Sequence, residues 1–187
     1  MRKKGTFFII PGFRQKPTSK TYTEISQFLR KEGFTPVIIS LEWTKNTLQE
    51  NVELFIGQFN KSRSKKKYIL GFSYGAMVAF IASSQISPEG LVLCSLSPYF
   101  KNDLKARSKT SEFSTFNSAT IAKKTKAKKV LMLYGKNEAR DLVKRVSETF
   151  QDIKLQNKFL IPVENVEHEL GNKEYLFSIH ASARILL

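Results

Sequence analysis

The chain is 187 residues long, carries a formal net charge of +15 and is 41% apolar. That length suits one domain, here residues 1–187, with a real core, and the apolar share excludes an intrinsically disordered chain. No apolar run approaches the length that spans a bilayer, and the single cysteine, Cys94, excludes an internal disulfide.

One cysteine and two histidines also leave structural zinc without a ligand set, so no metal is expected. The lack of disulfides fits a reducing cytoplasm. Arg2-Lys3-Lys4 followed by Phe7-Phe8-Ile9-Ile10 has the order of a secretory leader, but the run is too short and no small-residue cleavage site follows. Residues 6–10 read instead as a first strand. A helix over 20–33 presents Tyr22, Ile25, Phe28 and Leu29 on one face and ends at Gly33. A β-branched strand over 35–41 follows, then a helix over 48–60 with Val52, Phe55, Ile56 and Phe59 at helical spacing. Residues 67–71 form the third strand and 74–85 its helix. Strands over 90–96, 130–134 and 158–163 come next, with a helix over 139–150 and a closing helix over 173–187. Between Ser97 and Lys126 lies a connection of roughly thirty residues, a length typical of a functional insertion. It holds Pro98-Tyr99-Phe100, a charged helix candidate, and Phe113 and Phe116 among serines and threonines. Residues 98–126 are therefore expected to form a lid-like insertion.

Strands apolar on both faces, alternating with helices, call for an α/β fold: a three-layer α/β/α sandwich on a mainly parallel sheet. Ligands of such sheets bind beyond the carboxyl ends of the strands. The third strand ends there in Gly71-Phe72-Ser73-Tyr74-Gly75, and an apolar helix follows at once. Gly-x-Ser-x-Gly between strand and helix makes a tight turn that pushes a serine hydroxyl above the sheet. Ser73 is thus the candidate nucleophile. A serine needs a base, and the base needs an acid to orient it. His168 lies in the loop after the sixth strand and is preferred as base over His180, which falls inside the closing helix. In the loop after the fifth strand, Glu138 is preferred as acid over Asp141, which stands a turn further into the helix. Two N–H groups must meet the developing oxyanion. The Tyr74 amide is expected to be one, and the Phe13 amide in Pro11-Gly12-Phe13 is the candidate for the other, with an ordinary strand-ending turn as the alternative reading of Pro11-Gly12. Trp43, Phe72, Tyr99 and Phe100 are candidate walls of an apolar pocket for an acyl or aryl group; each is also a candidate for plain packing.

These motifs, in this order, resemble the α/β-hydrolase superfamily along essentially the whole chain. The similarity is to small single-domain members whose sheet lacks the first two strands of larger ones. It implies six strands in the order 2-1-3-4-5-6, a triad of Ser73, Glu138 and His168, and Phe13 and Tyr74 as oxyanion donors. It also implies that no cofactor is used. Two positions depart from the pattern: Pro11-Gly12 replaces the usual His-Gly, and the acid is Glu rather than Asp.

The function expected is hydrolysis of a carboxylic ester or thioester. A catalytically silent binding protein on the same fold is the alternative. The charge offers a third reading, a binder of nucleic acid or of an anionic membrane surface. Lysine outnumbers arginine, and no aromatics interleave with Arg63-Ser64-Lys65-Lys66-Lys67 or with residues 123–129, which argues against nucleic acid. Lysines flanking apolar strands also suppress aggregation, and that role is favoured. Oligomeric state is not readable from the sequence.

Overall fold

The computed structural model describes residues 3–96 and 118–186. Six strands, β1 (Gly5–Ile10), β2 (Phe34–Ile38), β3 (Lys67–Phe72), β4 (Gly90–Cys94), β5 (Val130–Gly135) and β6 (Lys158–Val163), form one sheet in the order β2-β1-β3-β4-β5-β6. Every pairing is parallel. The expected topology is therefore the observed one.

Alternation along the strands divides the core in two. Phe8, Ile10, Ile69, Leu91, Leu93, Val130 and Met132 face one side. Phe7, Ile9, Leu70, Phe72, Val92, Cys94, Leu131 and Leu133 face the other. The first side is covered by α2 (Leu48–Lys61), α3 (Tyr74–Ala82), α4 (Ser118–Lys124) and α5 (Arg140–Asp152). The second is covered by α1 (Lys20–Lys31) and α6 (Lys173–Ile185). Helix α3 is buried from Gly75 through Ala82. Helices α1 and α2 bury one stripe each, as their spacing requires.

The boundaries differ from the expected ones where local chemistry intervenes. Strand β2 stops at Ile38 rather than 41, because its partner β1 ends at Ile10. Its Pro36 is tolerated because β2 is an edge strand. Strand β4 stops before Ser95, whose φ of 48° leaves the extended region. Helix α3 ends at Ala82 rather than 85; Ser83 and Ser84 turn their hydroxyls to the Phe80 and Ile81 carbonyls. Helix α4 has one buried residue, Ala122, and so carries no periodic signal. Apart from α4 and the residues just after it, the expected insertion lies outside the described residues.

Several lysines at strand starts cap the helices that precede them or pack beside them. Lys67 Nζ donates to the Phe59 carbonyl at 2.8 Å, and Lys158 Nζ to those of Phe150 and Ile153 at 2.7 Å. Lys129 Nζ donates to Ile185 at 2.6 Å. Carbonyls at helix C-termini lack intrahelical donors and carry partial negative charge, so an ammonium there is favourable. Among the described residues, no helix is long and apolar enough to cross a membrane.

Candidate active site

The turn from β3 to α3 is built by what its glycines leave out. A Cβ on Gly71 would sit 2.4 Å from the Gly75 carbonyl oxygen, and one on Gly75 would sit 2.1 Å from that of Ile10. The helix start can therefore press against both β3 and β1. Between the glycines, Ser73 takes φ 53° and ψ −114°, a strained conformation for a residue with a Cβ. Its own N–H donates to the Cys94 carbonyl at 2.9 Å, and its carbonyl accepts from Met77 N at 3.1 Å. Among the described residues, the non-glycine positive-φ positions are Arg14, Ser73, Ser95 and Asn165. All four follow the carboxyl ends of strands, so backbone strain gathers at the one edge where the candidate residues lie.

His168 approaches from the loop after β6. Its Nε2 lies 2.9 Å from Ser73 Oγ, and its Nδ1 lies 3.1 Å from Glu138 Oε2. The ring packs on Phe72, with centroids 5.1 Å apart. Phe72 itself is only 2% exposed. Expected as a pocket wall, it lies instead in the core beneath the histidine, because it points to the side of the sheet that α1 and α6 cover. The histidine loop is drawn close by Gly135, where a Cβ would fall 2.2 Å from the Val166 carbonyl oxygen. Asn137 N donates to that same oxygen at 2.9 Å.

The Glu138 side chain is fully buried, whereas that of His168 is 38% exposed. Burial of a carboxylate is costly unless donors surround it. Here Gly135 N donates to Oε1 at 2.8 Å and Ser95 Oγ donates to the same oxygen at 2.5 Å. Behind Ser95 stands the Tyr175 hydroxyl, 2.7 Å from Ser95 Oγ and 3.1 Å from the Leu133 carbonyl, to which it donates. Burial raises the Tyr175 phenol well above its ordinary value, and it stays protonated. Cys94, also buried beside this group, has its thiol pushed up by the same desolvation. Ser95 and Tyr175 escape sequence reasoning. The available signal was a small hydroxyl residue directly after β4, level with the serine turn. Asp141, the other acid considered, is exposed in the first turn of α5.

His180 is remote from this group. Its ring stacks on Phe28 at 3.7 Å, and its buried Nε2 has no hydrogen-bond partner among the described residues. Desolvation holds its pKa down, which keeps the ring neutral.

The loop after β1 is pinned one residue before Phe13. Gly12 N donates to Gln15 Oε1 and to the Tyr22 hydroxyl, each at 3.1 Å, and Tyr22 in turn donates to Gln15 Oε1. Gln15 N closes the turn on the Gly12 carbonyl at 3.1 Å. A Cβ at residue 12 would meet Gln15 Oε1 at 2.9 Å and Phe72 Cδ1 at 3.0 Å. Beyond this turn, the rings of Phe13, Trp43 and Tyr74 meet pairwise at 5.3 to 5.9 Å. Phe13 is 44% exposed, and Trp43 and Tyr74 are half-buried. Trp43 also packs against the core. Tyr99 and Phe100 lie outside the described residues. Among the described residues, no group of three or more His, Cys, Asp and Glu side chains forms a metal site.

No protein-family model matches the sequence. No curated protein matches it either. Solved structures do. Est1E from Butyrivibrio proteoclasticus superposes with a TM-score of 0.78 at 14% identity, over 99% of this chain and 87% of that one. Alpha/beta hydrolase domain-containing protein 10 from mouse gives 0.80 at 11% identity, over 100% and 90%. A monoacylglycerol lipase from Paleococcus ferrophilus gives 0.76 at 14%, over 99% and 95%. With this strand order and these likenesses along its length, the chain has the α/β-hydrolase fold.

Proposed function

We propose that the chain is a serine hydrolase that cleaves a carboxylic ester or thioester. The observation that carries this reading is the unbroken line Ser73 Oγ–His168 Nε2 and His168 Nδ1–Glu138 Oε2, at 2.9 and 3.1 Å. Ser73 Oγ attacks the carbonyl carbon while His168 Nε2 takes its proton. The carbonyl oxygen becomes an oxyanion, met by the Tyr74 N–H at the start of α3 and the Phe13 N–H. Collapse breaks the bond to the leaving alcohol or thiol, which receives the proton from His168. Water, deprotonated by His168, then attacks the acyl-serine; collapse breaks the acyl–Oγ bond, His168 returns the proton to Ser73 Oγ, and the acid leaves. Glu138 holds the imidazole in the tautomer that carries its proton on Nδ1. The exposed ring of Phe13, with the half-buried rings of Trp43 and Tyr74, offers an apolar face for an acyl or aryl group. Esterase, lipase and hydrolase activities named for the structural neighbours favour the same reaction class. We assign the chain to a reducing compartment, the cytoplasm, on the strength of its one buried, unpaired cysteine.

A panel of p-nitrophenyl esters and acyl thioesters of rising chain length tests this. The proposal expects turnover of at least one series, with burst release of the leaving group where deacylation is slow. A folded protein inert to the whole panel, and inert at Ser73 to acylating reagents, would instead be a binding protein on a hydrolase fold.

Ser95→Ala should leave KM nearly unchanged and lower kcat by roughly 10- to 100-fold. It removes one hydrogen bond to a charged, buried carboxylate, a contact of about 1.5–3 kcal/mol. Ser95→Thr, which keeps the hydroxyl, should recover part of the loss. Steady-state kinetics of the two variants check this.

A further inference from the structure

The basic runs that the sequence scatters along the chain are brought to one place by the parallel sheet. All strand starts lie on one edge of such a sheet, and here the preceding helices end there too. Lys4 N bonds to the Gly33 carbonyl, Thr6 N to Lys66, Glu89 N to Lys67 and Leu91 N to Lys129. These bonds tie the connections into β1, β2, β3, β4 and β5 side by side. Across six strands the edge is about 24 Å wide. Lys65 and Lys66 are exposed before β3, Lys124 and Lys126 before β5, and Lys154 before β6. Lys3, Arg30 and Lys31 line a depression of about 390 Å³ with Phe34 and Pro36.

Part of this charge is structural, as the capping contacts of Lys67, Lys129 and Lys158 show. Two acids on the same edge are paired, Glu89 with Lys128 at 2.9 Å and Glu32 with Arg184 at 2.8 Å; Asp152, at the end of α5, subtracts one charge from the field. The exposed lysines named above exceed what helix capping and these ion pairs use. The surplus forms a single-sign field on the face opposite Ser73.

We propose that this edge docks on an anionic membrane surface. Its cations are mainly lysines, compact charges on flexible stems that suit a diffuse layer of headgroups better than base edges. The aromatic rings beneath the field, Phe34 and Tyr68, are 4% and 3% exposed, and one exposed ring at the margin, Phe159, is too little for a platform of stacked bases. At its margin Phe159 and Ile185 are 44% and 43% exposed, apolar points suited to the interfacial layer. The orientation has a consequence for the proposed hydrolase. Docked by its strand starts, the molecule turns Ser73 away from the bilayer and takes substrate from solution.

Vesicle co-sedimentation tests this, with the full chain on neutral phosphatidylcholine and on 7:3 phosphatidylcholine–phosphatidylglycerol. Binding to the anionic vesicles alone, lost at high salt, is expected. The variant Lys65→Gln, Lys66→Gln, Lys124→Gln, Lys126→Gln should lower partitioning at least about tenfold. A control of equal charge change on the opposite edge, Lys16→Gln, Lys20→Gln, Lys45→Gln, Lys173→Gln, should lower it less than about twofold. Labelling of Ser73 by a fluorophosphonate should be the same in wild type and the first variant, so this test stands apart from that of the hydrolase reading. No binding to anionic vesicles at low salt overturns the proposal. So does equal loss in both variants, which would reduce the effect to net charge. Tighter binding to a single-stranded RNA oligonucleotide, lost in the first variant, would assign the edge to nucleic acid and overturn it as well.

Discussion

Replacing Ser73 with alanine should lower kcat by roughly a millionfold on any ester or thioester that the wild type turns over. The size follows from what the hydroxyl does. In the proposed mechanism no acyl-enzyme forms without it, and the oxyanion donors can act only on direct attack by water. Alanine, unlike glycine, keeps the Cβ, so the strain at φ 53° is the same in the variant as in the wild type. The comparison then reports on the oxygen and leaves the turn alone. His168→Ala should cost about as much, and the double variant should be little worse than either single one, because the two groups act as a unit. Additive losses would mean that Ser73 and His168 do not share one proton transfer, whatever their 2.9 Å separation.

Gly75→Ala should destabilise the fold by about 3 kcal/mol or more. The added methyl would lie 2.1 Å from the Ile10 carbonyl oxygen and 2.5 Å from that of Pro11. Both are backbone atoms, and Ile10 lies in a strand paired on both sides. Neither can yield as a flexible side chain would, so α3 must move off the sheet. Helix α3 is buried along nearly its whole length, and its displacement opens the core that α2 shares with it. For a chain of this size such a loss lowers Tm by about 6–12 °C. Thermal melts followed by circular dichroism measure it. A variant as stable as wild type would contradict the close approach on which the serine turn depends. By contrast, Gly57→Ala in α2, where a Cβ meets nothing within 4 Å, should be neutral or mildly stabilising in the same melts.

Much of this was legible in the sequence because it is local. A strand, two glycines four apart and an apolar helix fix the Ser73 turn through contacts within a few residues. The loops bearing Glu138 and His168 follow strands whose apolar runs are plain. What was not legible is what distant segments do to one another. Ser95 and Glu138 are far apart in the chain, and Tyr175 is further still. Only the neighbouring order of β4 and β5, with α6 behind them, sets the three hydroxyl and carboxylate groups in line. The strand order itself was implied by family resemblance rather than by any pattern in the residues. Phe72 misled for a related reason. Its place beside the serine suggested a pocket wall, but strand alternation sends its ring into the core beneath His168. The lysine runs were likewise visible as runs, while their gathering on one edge is a property of the parallel sheet.

In the proposed mechanism Ser73 is a nucleophile activated by His168 and Glu138. Incubation with a fluorophosphonate, followed by peptide mass spectrometry, tests it most directly. One covalent phosphonyl adduct, located on Ser73, is expected, with its loss in His168→Ala as well as in Ser73→Ala. Folded wild-type protein that stays unlabelled, or an adduct on any other residue, would contradict it.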